Sequence, residues 1–159
     1  MHSERHGCAI DASRRVALRC VIGMMAGVLA APVSARDRAA EIVQPRTAGR
    51  EGFMERAFEM RRRAIERGDQ PYGAVIVKEG RIVGEGVSAV VTDIDPTAHA
   101  ELQAIRDAAR RLGTSDLTGC EMYGTSRACP MCESGAYWAR VARMYYGASI
   151  ADAGAPRLP

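Results

Sequence analysis

No stretch of this 159-residue chain is apolar for the roughly 20 residues that a membrane-spanning helix requires. Neither sign of charge dominates: 22 Lys+Arg stand against 19 Asp+Glu, a net charge of +3. That is too slight by itself to mark a nucleic-acid partner. Internal repeats and low-complexity tracts are absent, which excludes solenoids and biased tails. The five cysteines form no even disulfide framework, because Cys8 and Cys20 lie in the first 35 residues and Cys120 sits at a strand start as a small core residue. What is present, 47% hydrophobic and 26% charged residues, suits one globular domain.

Residues 1–35 differ from the rest. "SRRVALR" opens on Arg14 and Arg15, the apolar run Cys20 to Pro32 follows, and Val33-Ser34-Ala35 places small residues at the end. This is the order of a secretory signal cleaved after Ala35, and its paired arginines resemble the twin-arginine type that exports folded proteins. The alternatives are a membrane anchor, for which the run is short, and a start codon set upstream of the true one, which would leave the protein cytoplasmic. Four arginines and two acidic residues leave with the leader, so 18 basic and 17 acidic residues remain, a net charge of +1. The mature chain is expected in the periplasm with no stable membrane anchor.

Residues 36–50, polar and aperiodic with Pro45 and Gly49, read as a linker, and a domain is expected over 51–159. Phe53, Ala57, Met60 and Ala64 recur at helical spacing, with Arg61, Arg62 and Arg63 mostly on the opposite, solvated face. "YGAVIVKEGRIVGEGVS" reads as two strands joined at Glu79-Gly80. Ala74 to Val77 is apolar without alternation, as a strand covered on both faces should be. A helix over "DPTAHAELQAIRDAARRLG", a strand over "CEMYGTS", a helix over "PMCESGAYWARV" and a strand over "ARMYYGAS" complete the pattern. Helices alternating with short buried strands imply a three-layer α/β domain.

Two proline-led helix starts carry the chemistry. Asp95 is a good N-cap and Pro96 suits the first helical position, which puts His99 in the first turn. His99 then heads an inward stripe with Leu102, Ile105, Ala109 and Leu112, while Glu101 leaves at another angle. In "ACPMCESG", Cys129 takes the cap position, Pro130 the first helical position, and Cys132 follows three residues on, on the same face. Helix N-termini favour thiolates, and thiolates bind metal. One imidazole and two thiolates give three ligands and leave a fourth tetrahedral position for water, the pattern of catalytic rather than structural zinc. Alone, C-x-x-C would read as a redox dithiol; beside H-x-E it is the zinc-deaminase signature, with Glu101 as proton shuttle.

From about Phe53 to Asp152 the chain resembles the cytidine deaminase-like superfamily, and within it the bacterial guanine deaminases. "PYGAVIV", "DPTAHAELQAIRDAARRLG" and "CPMCESGAYWAR", with its "YWAR" after the cysteine pair, carry the likeness. The resemblance implies a three-layer α/β/α fold with a central mixed sheet and one Zn(2+) per chain on His99, Cys129 and Cys132. It implies Glu101 as the catalytic proton shuttle and backbone around Tyr72, Gly73 and Ala74 lining the substrate pocket. It further implies a purine contact from Asp152, a homodimer, and a small-molecule nucleobase as substrate. Two departures stand out: Gly86-Val87-Ser88 where the superfamily has G-x-N, its Asn gripping the base, and Arg127-Ala128-Cys129 where it has E-P-C. Ser88 is shorter and lacks the paired donor and acceptor of an amide.

Three functions compete on this pattern: a hydrolytic deaminase of a free base, foremost guanine to xanthine plus ammonia; a tRNA adenosine deaminase, which shares "TAHAE"; and a zinc-bound pseudoenzyme or binding module. The slight charge and the export signal argue against a nucleic-acid partner. The leader is open to direct test: fractionated cells expressing the full chain should hold a periplasmic species that starts near Arg36. A double Arg14→Lys, Arg15→Lys change should trap the precursor inside, whereas full-length wild-type protein confined to the cytoplasm would show that the start lies downstream.

Overall fold

The computed structural model describes residues 41–47 and 49–158; the leader, the linker up to residue 40, Ala48 and Pro159 lie outside them. Among the described residues no helix is long and apolar enough to cross a membrane. The elements run α1 (Arg50–Glu66), β1 (Gly73–Lys78), β2 (Arg81–Val87), α2 (Ala100–Leu112), β3 (Cys120–Gly124), α3 (Pro130–Trp138), β4 (Arg143–Tyr146) and β5 (Ala151–Gly154).

The β1–β2 hairpin turns at Glu79 and Gly80, both at positive φ, the geometry that a two-residue turn needs to match strand twist. The five strands form one sheet in the order β2-β1-β3-β4-β5. β1 pairs antiparallel with β2 and β3, β3 runs parallel to β4, and β4 pairs antiparallel with β5. The sheet is therefore mixed. Its strands feed two separate cores: Ala74 and Ile76 of β1 join α2 and α3, whereas Val75 and Val77 join Phe53, Ala57 and Met60 of α1. Side chains that alternate between two covered faces explain why β1 is apolar throughout. The α/β/α layering and the Phe53–Ala64 face of α1 thus stand as expected. Cys120, at the start of β3, is a buried core residue.

Three details differ from the sequence reading. The helix expected from Pro96 begins at Ala100, with His99 as its N-cap. Asp95 caps a separate turn instead: its Oδ1 accepts from the Thr97 N–H and hydroxyl, both at 2.7 Å, and its carbonyl accepts from the Ala98 N–H. Local side-chain bonds of this kind compete with helix start. α2 is also rolled about its axis, for its buried residues are Ala100, Glu101, Ala104 and Ala108, while Leu102, Ile105, Ala109 and Leu112 are only half-buried. The cause lies across the interface, in Gly84 and Gly86 of β2. A Cβ at Gly86 would fall on the Ala100 carbonyl oxygen, and one at Gly84 would meet Ala104 and Ala108, so helix and strand touch through backbone and methyl groups alone. Leu102 is displaced sideways onto Gly135 of α3. Finally, β5 is an additional short strand, with Asp152 in its ladder.

The segment read as linker is partly tied down. Gln44 bonds both backbone groups of Ile82 with its carboxamide, at 2.8 and 2.9 Å. Gly86→Ala should lower stability by an amount at or above the upper end of the ~1–3 kcal/mol typical of overpacking. Thermal unfolding of the variant checks it, and a melting temperature equal to wild type would mean that α2 does not approach β2 this closely.

Candidate functional site

His99 caps α2 and Cys129 caps α3, each with an extended backbone just ahead of the first helical turn. The extended cap swings the His99 side chain away from the direction a first-turn residue would take. It and Glu101, two residues on, can then face one point. There the His99 Nδ1 lies 3.5 Å from the Cys132 Sγ and 3.7 Å from the Cys129 Sγ, and all three donor atoms fall within 4.8 Å of one another. Zinc–nitrogen and zinc–sulfur bonds of about 2.0 and 2.3 Å at tetrahedral angles place N and S roughly 3.6 Å apart. The donor set and its spacing fit zinc with three protein ligands.

Glu101 is 6% exposed, and its Oε2 lies 3.6 Å from the Cys132 Sγ. Burial raises its carboxyl above the usual range, against smaller opposing effects from its own backbone N–H, the Cys132 thiol and the His99 charge. The Cys132 thiol is fully buried; burial pushes it up, and the neighbouring Glu101 charge adds to the shift. A divalent cation at this point reverses that balance, because coordination deprotonates a thiol outright.

A cavity of about 420 Å³ opens beside the cluster, a volume suited to a small ligand. His99, Glu101 and Cys129 form its floor, and Gln70, Tyr72, Ser126 and Arg127 its walls. Arg127 is exposed and pairs with no carboxylate among the described residues. A second cavity, about 360 Å³, lies between residues 43–47 and α1, away from these ligands.

The other residues singled out by sequence are placed differently. Tyr72 does line the cavity. Gly73 backs onto α1, where a Cβ would strike the Ala57 carbonyl and the Arg61 N–H, and it pairs through its backbone with Thr125. Ala74 is wholly buried in the α2-side core. Ser88 is 1% exposed and donates its hydroxyl to Asp69 Oδ1 at 2.8 Å, so it does not face the cavity. Asp152 sits exposed in β5, not in a loop over the cavity. Its carboxylate accepts from Arg143 at 2.6–3.0 Å and from the Gly154 N–H at 2.8 Å.

Asp69 and Gln70 had no motif to mark them. Asp69, 8% exposed, accepts from the Ser88 hydroxyl, the Gln70, Val91 and Thr92 N–H groups and the Thr92 hydroxyl, all within 3.0 Å. Burial alone would raise this carboxyl, yet the donors outweigh it and hold it well below the usual carboxylate range. It ties the segment before β1 to the loop that leads to His99. The only sequence signal was position, just ahead of "PYGAVIV".

Two helix starts that converge on a metal-fitting donor set, with a buried carboxylate beside it, define the class of the zinc-dependent deaminases. Residues 48–148 match the family described as the cytidine and deoxycytidylate deaminase zinc-binding region, and the chain belongs to that family. It is similar to the guanine deaminase of Bacillus subtilis (strain 168), 44% identical over 104 residues that cover 65% of this chain and 67% of that protein. It is nearly as similar to the tRNA-specific adenosine deaminase of Aquifex aeolicus (strain VF5), 43% identical over 100 residues that cover 63% and 66%. The X-ray structure of the B. subtilis guanine deaminase superposes with a TM-score of 0.61 at 44% identity, covering 63% of this chain and 64% of that one. The chain thus spans about two thirds of the length of these relatives.

Purified protein should contain about one zinc per chain. Cys132→Ser should lose most of it and unfold more readily, since the ligands join two helices. Metal analysis decides: full occupancy in Cys132→Ser would remove that residue from the ligand set.

Proposed function

We propose that this chain is a hydrolytic deaminase of a free nucleobase, acting best on guanine to give xanthine and ammonia. The observation that carries this reading is the buried Glu101 carboxylate, set beside the His99, Cys129 and Cys132 donors at the floor of a base-sized cavity. The choice of guanine rests on the likeness to the B. subtilis enzyme.

Zinc, when bound, supplies the Lewis acidity that makes water a nucleophile near neutral pH. The chain's own contribution is proton transfer. Glu101 accepts a proton from the attacking water and delivers it to the ring nitrogen beside the amine-bearing carbon. With the hydroxyl added to the amine-bearing carbon, Glu101 then takes the hydroxyl proton and gives it to the amine, so that the C=O bond forms as the exocyclic C–N bond breaks and ammonia leaves.

A second reading, deamination of adenosine in tRNA, is favoured by the near-equal likeness to the Aquifex enzyme and by the exposed, unpaired Arg127 at the cavity wall, which suits a phosphate. Against it, the cations of α1 and α2 are interleaved with carboxylates, as in Arg62–Glu59, Arg110–Asp107 and Arg111–Asp107, and form no uniform basic stripe there. In the reading we favour, the protein works as a homodimer on a small base, in the periplasm.

Glu101→Gln should keep its zinc and fold while losing at least ~100-fold in turnover. Assays of the zinc-loaded wild type on guanine, adenine, cytosine and tRNA supply the comparison. Near-normal rates in Glu101→Gln would remove that residue from the reaction, and turnover of tRNA alone would give the second reading precedence.

A further inference from the structure

A planar base with adjacent ring N–H and carbonyl groups is best held by a carboxamide, which offers a donor and an acceptor side by side. This chain contains no asparagine and only three glutamines: Gln44, Gln70 and Gln103. Gln44 bonds the Ile82 backbone through both ends of its amide. Gln103 lies on α2, outside the cavity wall. Ser88, which stands where the superfamily resemblance puts the gripping Asn, is buried with its hydroxyl committed to Asp69.

Gln70 is placed otherwise. It lines the same cavity as His99 and Glu101, is half-buried, and its carboxamide makes no hydrogen bond to another of the described residues. Its backbone, by contrast, is fixed at both ends: the N–H donates to Asp69 Oδ1 at 2.8 Å, and the carbonyl accepts from the Tyr72 N–H at 2.7 Å. A residue on anchored main chain that lines the cavity and has an unengaged amide is a candidate recognition group, because only its side chain remains to be ordered on binding.

We propose that Gln70 is the base-reading residue of this site, pairing its carboxamide with the lactam edge of the purine, ring N–H to Oε1 and carbonyl to Nε2. Asp69 holds its backbone in place, and Ser88, buried with its hydroxyl committed to Asp69, takes no part. The proposal rests on the free-nucleobase reading given above.

The test separates the two claims. In a zinc-loaded Glu101→Gln background, which holds substrate without turning it over, equilibrium dialysis measures the binding of guanine and of 2-aminopurine, which lacks the lactam edge. Adding Gln70→Ala should weaken guanine roughly tenfold, the scale of one or two such bonds, and leave 2-aminopurine within about twofold. Gln70→Glu, which cannot donate, should weaken guanine as well, while Gln44→Ala should not. If guanine binds the parent variant and Gln70→Ala leaves it unchanged, or weakens both purines alike, the role of Gln70 is overturned while the nucleobase reading stands. If the parent binds neither purine and the wild type acts only on tRNA, both fall together.

Discussion

The site depends on how closely α2 lies against β2. Gly84 and Gly86 leave no side chain between strand and helix, and Ala100, Ala104 and Ala108 fill the space with methyl groups alone. That contact fixes the roll and height of α2, and hence where its N-terminus, with His99 and Glu101, meets the N-terminus of α3. Leu102 and Ile105 then meet α3 at Gly135, a second close approach that keeps the two starts together. Metal ligands need placement within a fraction of an ångström. Here backbone-to-backbone packing supplies it, where long side chains would leave slack.

The site's acid–base character follows from the same arrangement. Glu101 and Cys132 are buried side by side, and burial works against the charge of each. A cation placed among His99, Cys129 and Cys132 lies next to both and favours the charged thiolate. Glu101 stays beside the donor set, 3.6 Å from Cys132 Sγ, and is not needed to complete it.

The metal-fitting residues were legible in the sequence because His99, Cys129 and Cys132 stand at or just inside helix starts, although proline marks only the start of α3. The layered fold was legible too, from β1 apolar on both faces and from α1 with one clean stripe. What escaped was set by partners distant in sequence. The roll of α2 follows from glycines on β2, which periodicity within α2 does not register. The delayed start of α2 reflects a contest between two uses of Asp95, and the turn won. Asp152 was singled out by likeness alone, and its place in β5 follows from pairing with β4 and from Arg143, neither of which its own sequence neighbourhood marks. Gln70 and Asp69 lie in irregular chain, where no repeat marks a residue's direction.

Asp69 joins two irregular segments, one carrying Gln70 and Tyr72, the other running from Ser88 toward His99. The metal-fitting donors sit on helix starts, while part of the cavity lining, Gln70 and Tyr72, sits on chain held by this one carboxylate. Irregular chain accepts exchange more readily than packed helices do. The fold therefore keeps two kinds of chain apart: the metal-fitting donors stand on packed helix starts, while residues 70, 72, 126 and 127 line the cavity from irregular chain that tolerates exchange.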